Sequence, residues 1–267
     1  MNWHNLIAVC YFGGTCGHAI AAVINHSADI FKHASADNIG VSPTGEMRHH
    51  FVRLGRLDGY LYDIEYCHNK NNLPYRPDQP ISEEALSHWS ADVAQLLSPD
   101  NSYGIQAVLE HNRLVVADHV NARNQQRLTP GSKIIAVYGG LHRAVRNFAD
   151  KKLVVPEDYD SLKRAGIDYF SRHMAISHSK RDRYLLNLRT FTNMHLEFNA
   201  IQLQTQGVFH LEWTDLIDPI HRYETYHRLT DYLGITPEWK PVNAFLDYYN
   251  TRQITRLSRK VLLTEHT

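Results

Sequence analysis

The stretch from Leu6 to Ile24 constrains the fold more than any other part of the chain. Leu6-Ile7-Ala8-Val9-Cys10-Tyr11 is a short apolar run without polar alternation, the pattern of a strand buried on both faces. Phe12-Gly13-Gly14-Thr15-Cys16-Gly17-His18 then turns the chain, and Ala19 to Ile24 continues as an apolar helix. A strand covered on both sides needs helices above and below it, so the opening already predicts an α/β protein.

Later segments repeat the alternation. Arg113 to Asp118 is a second apolar strand that ends at His119, and Pro130-Gly131 introduces a third, Lys133 to Tyr138, stopped by Gly139-Gly140. Val208 to Trp213 has the same character. Helices are predicted after Ser82, which suits an N-cap followed by Glu83 and Glu84, and from Leu141 to Phe148. Tyr159 to Leu203 is mostly helical in character, and two helices close the chain: Ile220 to Leu233, stopped by Gly234 as a C′ residue, and Pro241 to about Tyr249. The expected architecture is a mainly parallel sheet with helices on both faces, of the P-loop nucleotide-binding type. It forms a single domain over 1–267, with an irregular insertion at about 35–80 that includes a strand near Tyr60 to Tyr66.

Composition narrows the function classes. The 267 residues suffice for one full core, and 28 basic side chains balance 28 acidic ones. Bulk charge therefore gives no footprint for nucleic acid or an acidic membrane, and an anionic ligand must be held by local groups. Cys10, Cys16 and Cys67 suit neither a disulfide framework nor a zinc ribbon, which points to a reducing, cytoplasmic setting. No Lys or Arg precedes Lys32, and the glycine turn interrupts the first apolar run, so neither a signal peptide nor a membrane span is expected. The histidines, 18 in all, are mostly scattered, and His49-His50 and Cys67-His68 are adjacent pairs that cannot converge on one ion. No metal is expected.

Three junctions carry candidate chemistry. In the first turn, Gly13, Gly14, Thr15, Cys16, Gly17 and His18 can bring backbone amides and a helix N-terminus up to a phosphate. The turn lacks the Gly-Lys-Ser/Thr ending of ordinary ATP and GTP hydrolases. His119 stands at the carboxyl end of a strand, where ligands bind open parallel sheets; it suits a general base or a histidine bonding a loop carbonyl. After Gly139-Gly140, Arg143 and Arg146 either reach an anion or form a solvated helix face. The basic tail of Arg252, Arg256, Arg259 and Lys260 fits a solvated end.

In order and spacing these blocks resemble the PAPS-dependent sulfotransferase family, from about Leu6 to Leu246. Gly14-Thr15-Cys16-Gly17-His18-Ala19 is similar to the family's first loop, Val115-Val116-Ala117-Asp118-His119 to its strand ending in Thr-His, and Lys133 to Tyr138 to its next strand. Leu211-Glu212-Trp213-Thr214-Asp215-Leu216 and Leu229 to Ile235 are similar to its C-terminal blocks. Thr15 stands where the family has Lys or Arg, Gly139 where it has a phosphate-binding Arg, and Asn147 where it has Ser.

The resemblance implies transfer of a sulfuryl group from the co-substrate PAPS to a hydroxyl or amine of a small-molecule or glycan acceptor. It implies that the first turn holds the 5′-phosphosulfate, with His18 or a tail Arg supplying positive charge. His119 would be the base, and Asn147 with Arg143 or Arg146 would approach the 3′-phosphate. A transferase using another nucleotide, and a non-catalytic binding protein on the same fold, are the alternatives.

Overall fold

A computed structural model describes residues 3–12, 15, 17–30, 80–84, 86–87, 109–118, 120–141 and 180–264. Its centre is β1 (Leu6–Cys10), in which no residue is more than 1% exposed. Parallel neighbours explain that burial. β2 (Leu114–Asp118) pairs on one side with Leu6 opposite Leu114, and β3 (Lys133–Tyr138) on the other with Ile7 opposite Lys133. β4 (Phe209–Glu212) joins the outer side of β3, with Ile135 opposite Phe209. The order is therefore β2-β1-β3-β4, all parallel. Each large apolar side chain fully buried here contributes roughly 1.5–3 kcal/mol, so a charge introduced at Ala8 would break the sheet.

Helices cover both faces, as expected. β2 and β3 flank β1 on opposite sides, so right-handed crossovers put α1 (Gly17–Asn25) on one face and α2 (Ala122–Leu128) on the other. α3 (Lys180–Gln204) connects β3 to β4 on the α2 side and touches both α2 and β3. Residues Ala19 to Asn25 of α1 are all buried, which accounts for a helix without a polar stripe. The chain closes with α4 (Trp213–Ile217), α5 (Arg222–Leu233) and α6 (Trp239–Thr264). His26, just past α1, meets Phe245 of α6, and Asp29 accepts from the Thr236 amide, so the C-terminal helices cover the α1 side.

Several boundaries differ from the sequence expectation, each for a local reason. The β1 ladder ends at Cys10 rather than Tyr11, because the Gln202 side chain bonds the Cys10 carbonyl. Arg113 stays outside β2 and bridges Ile30 instead. β4 stops at Glu212, since Trp213 already begins α4. α2 was not anticipated, because Ala-Arg-Asn-Gln-Gln-Arg-Leu has no apolar stripe; the Asn121 side chain caps it by accepting from Asn124 N at 2.9 Å. α6 extends well past Tyr249, and Pro241 sits in its first turn, where a helix needs no N–H.

α5 ends as predicted. Gly234 is left-handed, with Ile235 N donating to Thr230 O and Gly234 N to Asp231 O. Ser82 accepts from Leu86 N, consistent with an N-cap before a helix that is described only as far as Ser87. The expected insertion over 35–79, its strand near Tyr60 to Tyr66, and the helix beyond Leu141 lie outside the described residues.

Candidate functional site

An open parallel sheet forms a crevice where neighbouring strands send their connections to opposite sides. Here that point lies between the carboxyl ends of β1 and β3. The first turn leaves from β1. Thr15, buried at 1% exposure, donates to Phe12 O twice, from its amide at 3.1 Å and from Oγ1 at 2.6 Å. Both of its donors thus close the turn. Gly17 opens α1 against the Tyr11 ring, so closely that a Cβ would lie 2.0 Å from Cδ1. Any side chain at Gly17 must displace Tyr11.

The second turn leaves from β3. Gly139 (φ +80°) and Gly140 (φ +69°) are both left-handed, a pair of conformations that L side chains adopt only with strain. A Cβ on Gly140 would lie 2.7 Å from Trp213 Nε1 and 3.3 Å from Thr15 Cγ2. The two glycine turns and the start of α4 therefore meet. A Cβ on Gly139 would lie 3.2 Å from Glu212 Cγ. Backbone strain and this contact favour glycine at position 139.

Burial first, and then the carboxylates of Glu212 and Asp215, push the Tyr138 phenol above its usual range, with Arg228 opposing.

Beneath the first turn, α3 contributes a polar row. His195 is fully buried and stands edge-on to Phe12 at 4.9 Å, and burial holds its imidazole at a pKa of about 4, so it is neutral at pH 7. Its Nδ1 is 3.1 Å from Asn199 Nδ2. His195 Nε2 and Asn199 Oδ1 have no hydrogen-bond partner among the described residues. One turn further, Gln202 Nε2 donates to Cys10 O at 2.8 Å and to Val137 O at 3.1 Å, while its Oε1 accepts from Ala122 N at 2.7 Å.

Of the residues expected at the site, Thr15 and Gly17 are brought to this crevice together with the Gly139–Gly140 turn. His18 lies in the first turn of α1, described by its backbone alone. Gly13, Gly14, Cys16, His119, Arg143, Arg146 and Asn147 lie outside the described residues, and of the basic tail only the backbone is described. Sequence reasoning missed His195, Asn199 and Gln202. Their spacing of four and three residues on one helical face was the available signal.

Among the described residues no three His, Cys, Asp or Glu side chains gather as a metal site, and no helix is long and apolar enough to cross a membrane. In comparisons with family models, curated proteins and solved structures, nothing matches the chain.

Proposed function

We propose that the chain is a sulfotransferase-like enzyme of the P-loop nucleotide-binding type, which moves a sulfuryl group from PAPS to a hydroxyl or amine of a small-molecule or glycan acceptor. The observation that carries this reading is the meeting of two glycine turns at the carboxyl ends of β1 and β3, the crevice where α/β sheets bind nucleotides. With Thr15 turned onto Phe12, the amides of Gly13, Gly14, Cys16 and Gly17 and the N-terminus of α1 would hold the 5′-phosphosulfate. Arg143, Arg146 and Asn147, which come after the second turn in the chain, would reach the 3′-phosphate.

His119, next after β2, would take the acceptor's proton as the acceptor oxygen or nitrogen bonds sulfur. The sulfur–oxygen bond to the nucleotide breaks, and PAP leaves with its electron pair.

Calorimetric titration with PAP, the desulfated nucleotide, tests the reading. Saturable binding at micromolar concentration is expected. Absence of binding at millimolar PAP would overturn it in favour of a binding protein for another ligand, a reading favoured by the closure of position 139 to arginine.

A further inference from the structure

Gln202 touches three backbone points, and each is where one of the proposed functional loops begins or ends. Cys10, whose carbonyl accepts from Nε2, is the last residue of β1 before the first turn. Val137, whose carbonyl accepts from the same nitrogen, precedes the Gly139–Gly140 turn by two residues. Ala122, whose amide donates to Oε1, opens α2 and lies three residues after His119. The Ala122 amide is one of the four that a helix start leaves without an internal partner, so Gln202 satisfies it from another element. The side chain is 0% exposed, and both ends of its amide are hydrogen-bonded.

The β1–β3 ladder ends with Cys10 opposite Ala136, and Gln202 ties the two carbonyls at that end of the ladder to the first amide of α2. A carboxamide suits the position because it combines a two-hydrogen donor with an acceptor on one rigid plane. Glutamate lacks the donor, and an apolar side chain of the same length lacks both.

We infer that Gln202 is the positioning residue of the nucleotide site, a single buried carboxamide that fixes the exits of β1 and β3 and the start of α2 relative to one another. This role rests on the proposal that the crevice binds a nucleotide. Gln202 does not touch substrate; it acts through the loops that would.

The test measures PAP affinity and thermal unfolding together for the wild type, Gln202→Met and Gln202→Glu. Gln202→Met keeps the side-chain length and removes all three bonds. Its affinity for PAP is expected to fall by at least about tenfold at temperatures where it is fully folded, since small misplacements of positioned groups carry large penalties. Gln202→Glu adds a readout that a purely structural role would not move. Burial against two carbonyls raises a glutamate pKa, and a rise of roughly 2 units from about 4.3 leaves the carboxyl mostly protonated at pH 5.5, where it regains one donor, and ionised at pH 8. Relative to wild type at the same pH, its affinity should be about tenfold weaker at pH 8 and within about threefold at pH 5.5.

Wild type that binds PAP, with folded Gln202→Met binding equally well, would overturn the inference and leave the nucleotide reading intact. Wild type that fails to bind at millimolar PAP would overturn both. If Gln202→Met does not fold, the pH profile of Gln202→Glu decides, and equal affinity ratios at the two pH values sink the claim. If neither variant folds at any pH, Gln202 is a structural residue only and the positioning role is refuted.

Discussion

The two glycine turns at the crevice look alike in sequence but use glycine for different reasons. In the first, Gly17 is a matter of space: the start of α1 lies against the Tyr11 ring, and a Cβ would overlap it. In the second, Gly139 and Gly140 are a matter of handedness, with φ of +80° and +69°. The first turn is held by Thr15 folding back on Phe12, with an uncharged imidazole beneath it. The second is held by its own backbone conformation, with carboxylates beside it. The first side thus has a neutral imidazole against Phe12, whereas the second redirects the chain sharply through two left-handed residues.

The largest effect is expected at Gly17. A Cβ there would lie 2.0 to 2.5 Å from three atoms of the buried Tyr11 ring, and at 3% exposure that residue has little room to retreat. Overpacking of buried sites typically costs about 1–3 kcal/mol and more in tight cases, so Gly17→Ala should lose more than about 3 kcal/mol in urea unfolding. Adding Tyr11→Leu should recover a substantial part of that loss. If the double variant is no more stable than Gly17→Ala, space is not what glycine supplies at this position.

Handedness predicts a different pattern at the second turn. Gly140→Ala meets both a left-handed φ, which costs about 1–2 kcal/mol, and the Trp213 indole at 2.7 Å, so a loss of about 3 kcal/mol is expected. Gly139→Ala meets only the strain and the flexible end of Glu212, and should lose about 1–2 kcal/mol. Repeating Gly139→Ala in a Glu212→Ala background separates the two terms, because the contact is removed and the positive φ stays. The loss at 139 should persist there. A loss that disappears would show that contact with Glu212, not backbone handedness, is decisive.

Much of this contrast was legible in the sequence, and the limits have physical causes. The apolar runs of β1 and β3 announced central parallel strands because both of their faces are buried. Glycines at strand ends announced turns at the carboxyl edge of the sheet. What could not be read was why each glycine is there, since space and φ leave the same letter. α2 escaped notice because its support is polar, an Asn121 cap and buried Asn124 and Gln125, rather than an apolar stripe. The row His195, Asn199 and Gln202 escaped because α3 mixes polar and apolar residues around its whole circumference, so three polar residues at helical spacing do not stand out. Only tertiary contact shows that Gln202 reaches strand carbonyls from 65 and 192 residues away.

A last effect separates the turns by pH. His195 is buried with its pKa lowered from 6.5 to about 4, and burial is the cause. The unfolded chain therefore binds a proton between pH 6.5 and 4 that the folded chain refuses, so stability falls as pH drops through that window and is fully present above it. From the two pKa values the loss reaches about 2 kcal/mol by pH 5. Because His195 stands against Phe12, the first turn carries this acid sensitivity, and the second turn, beside Glu212 and Asp215, has no comparable buried base among the described residues. His195→Leu should remove the slope between pH 7 and pH 5 in urea unfolding while leaving the losses of Gly139→Ala and Gly140→Ala unchanged. A variant that retains the full wild-type slope would mean that another group drives the acid response, and that the imidazole beneath the first turn is not refusing its proton.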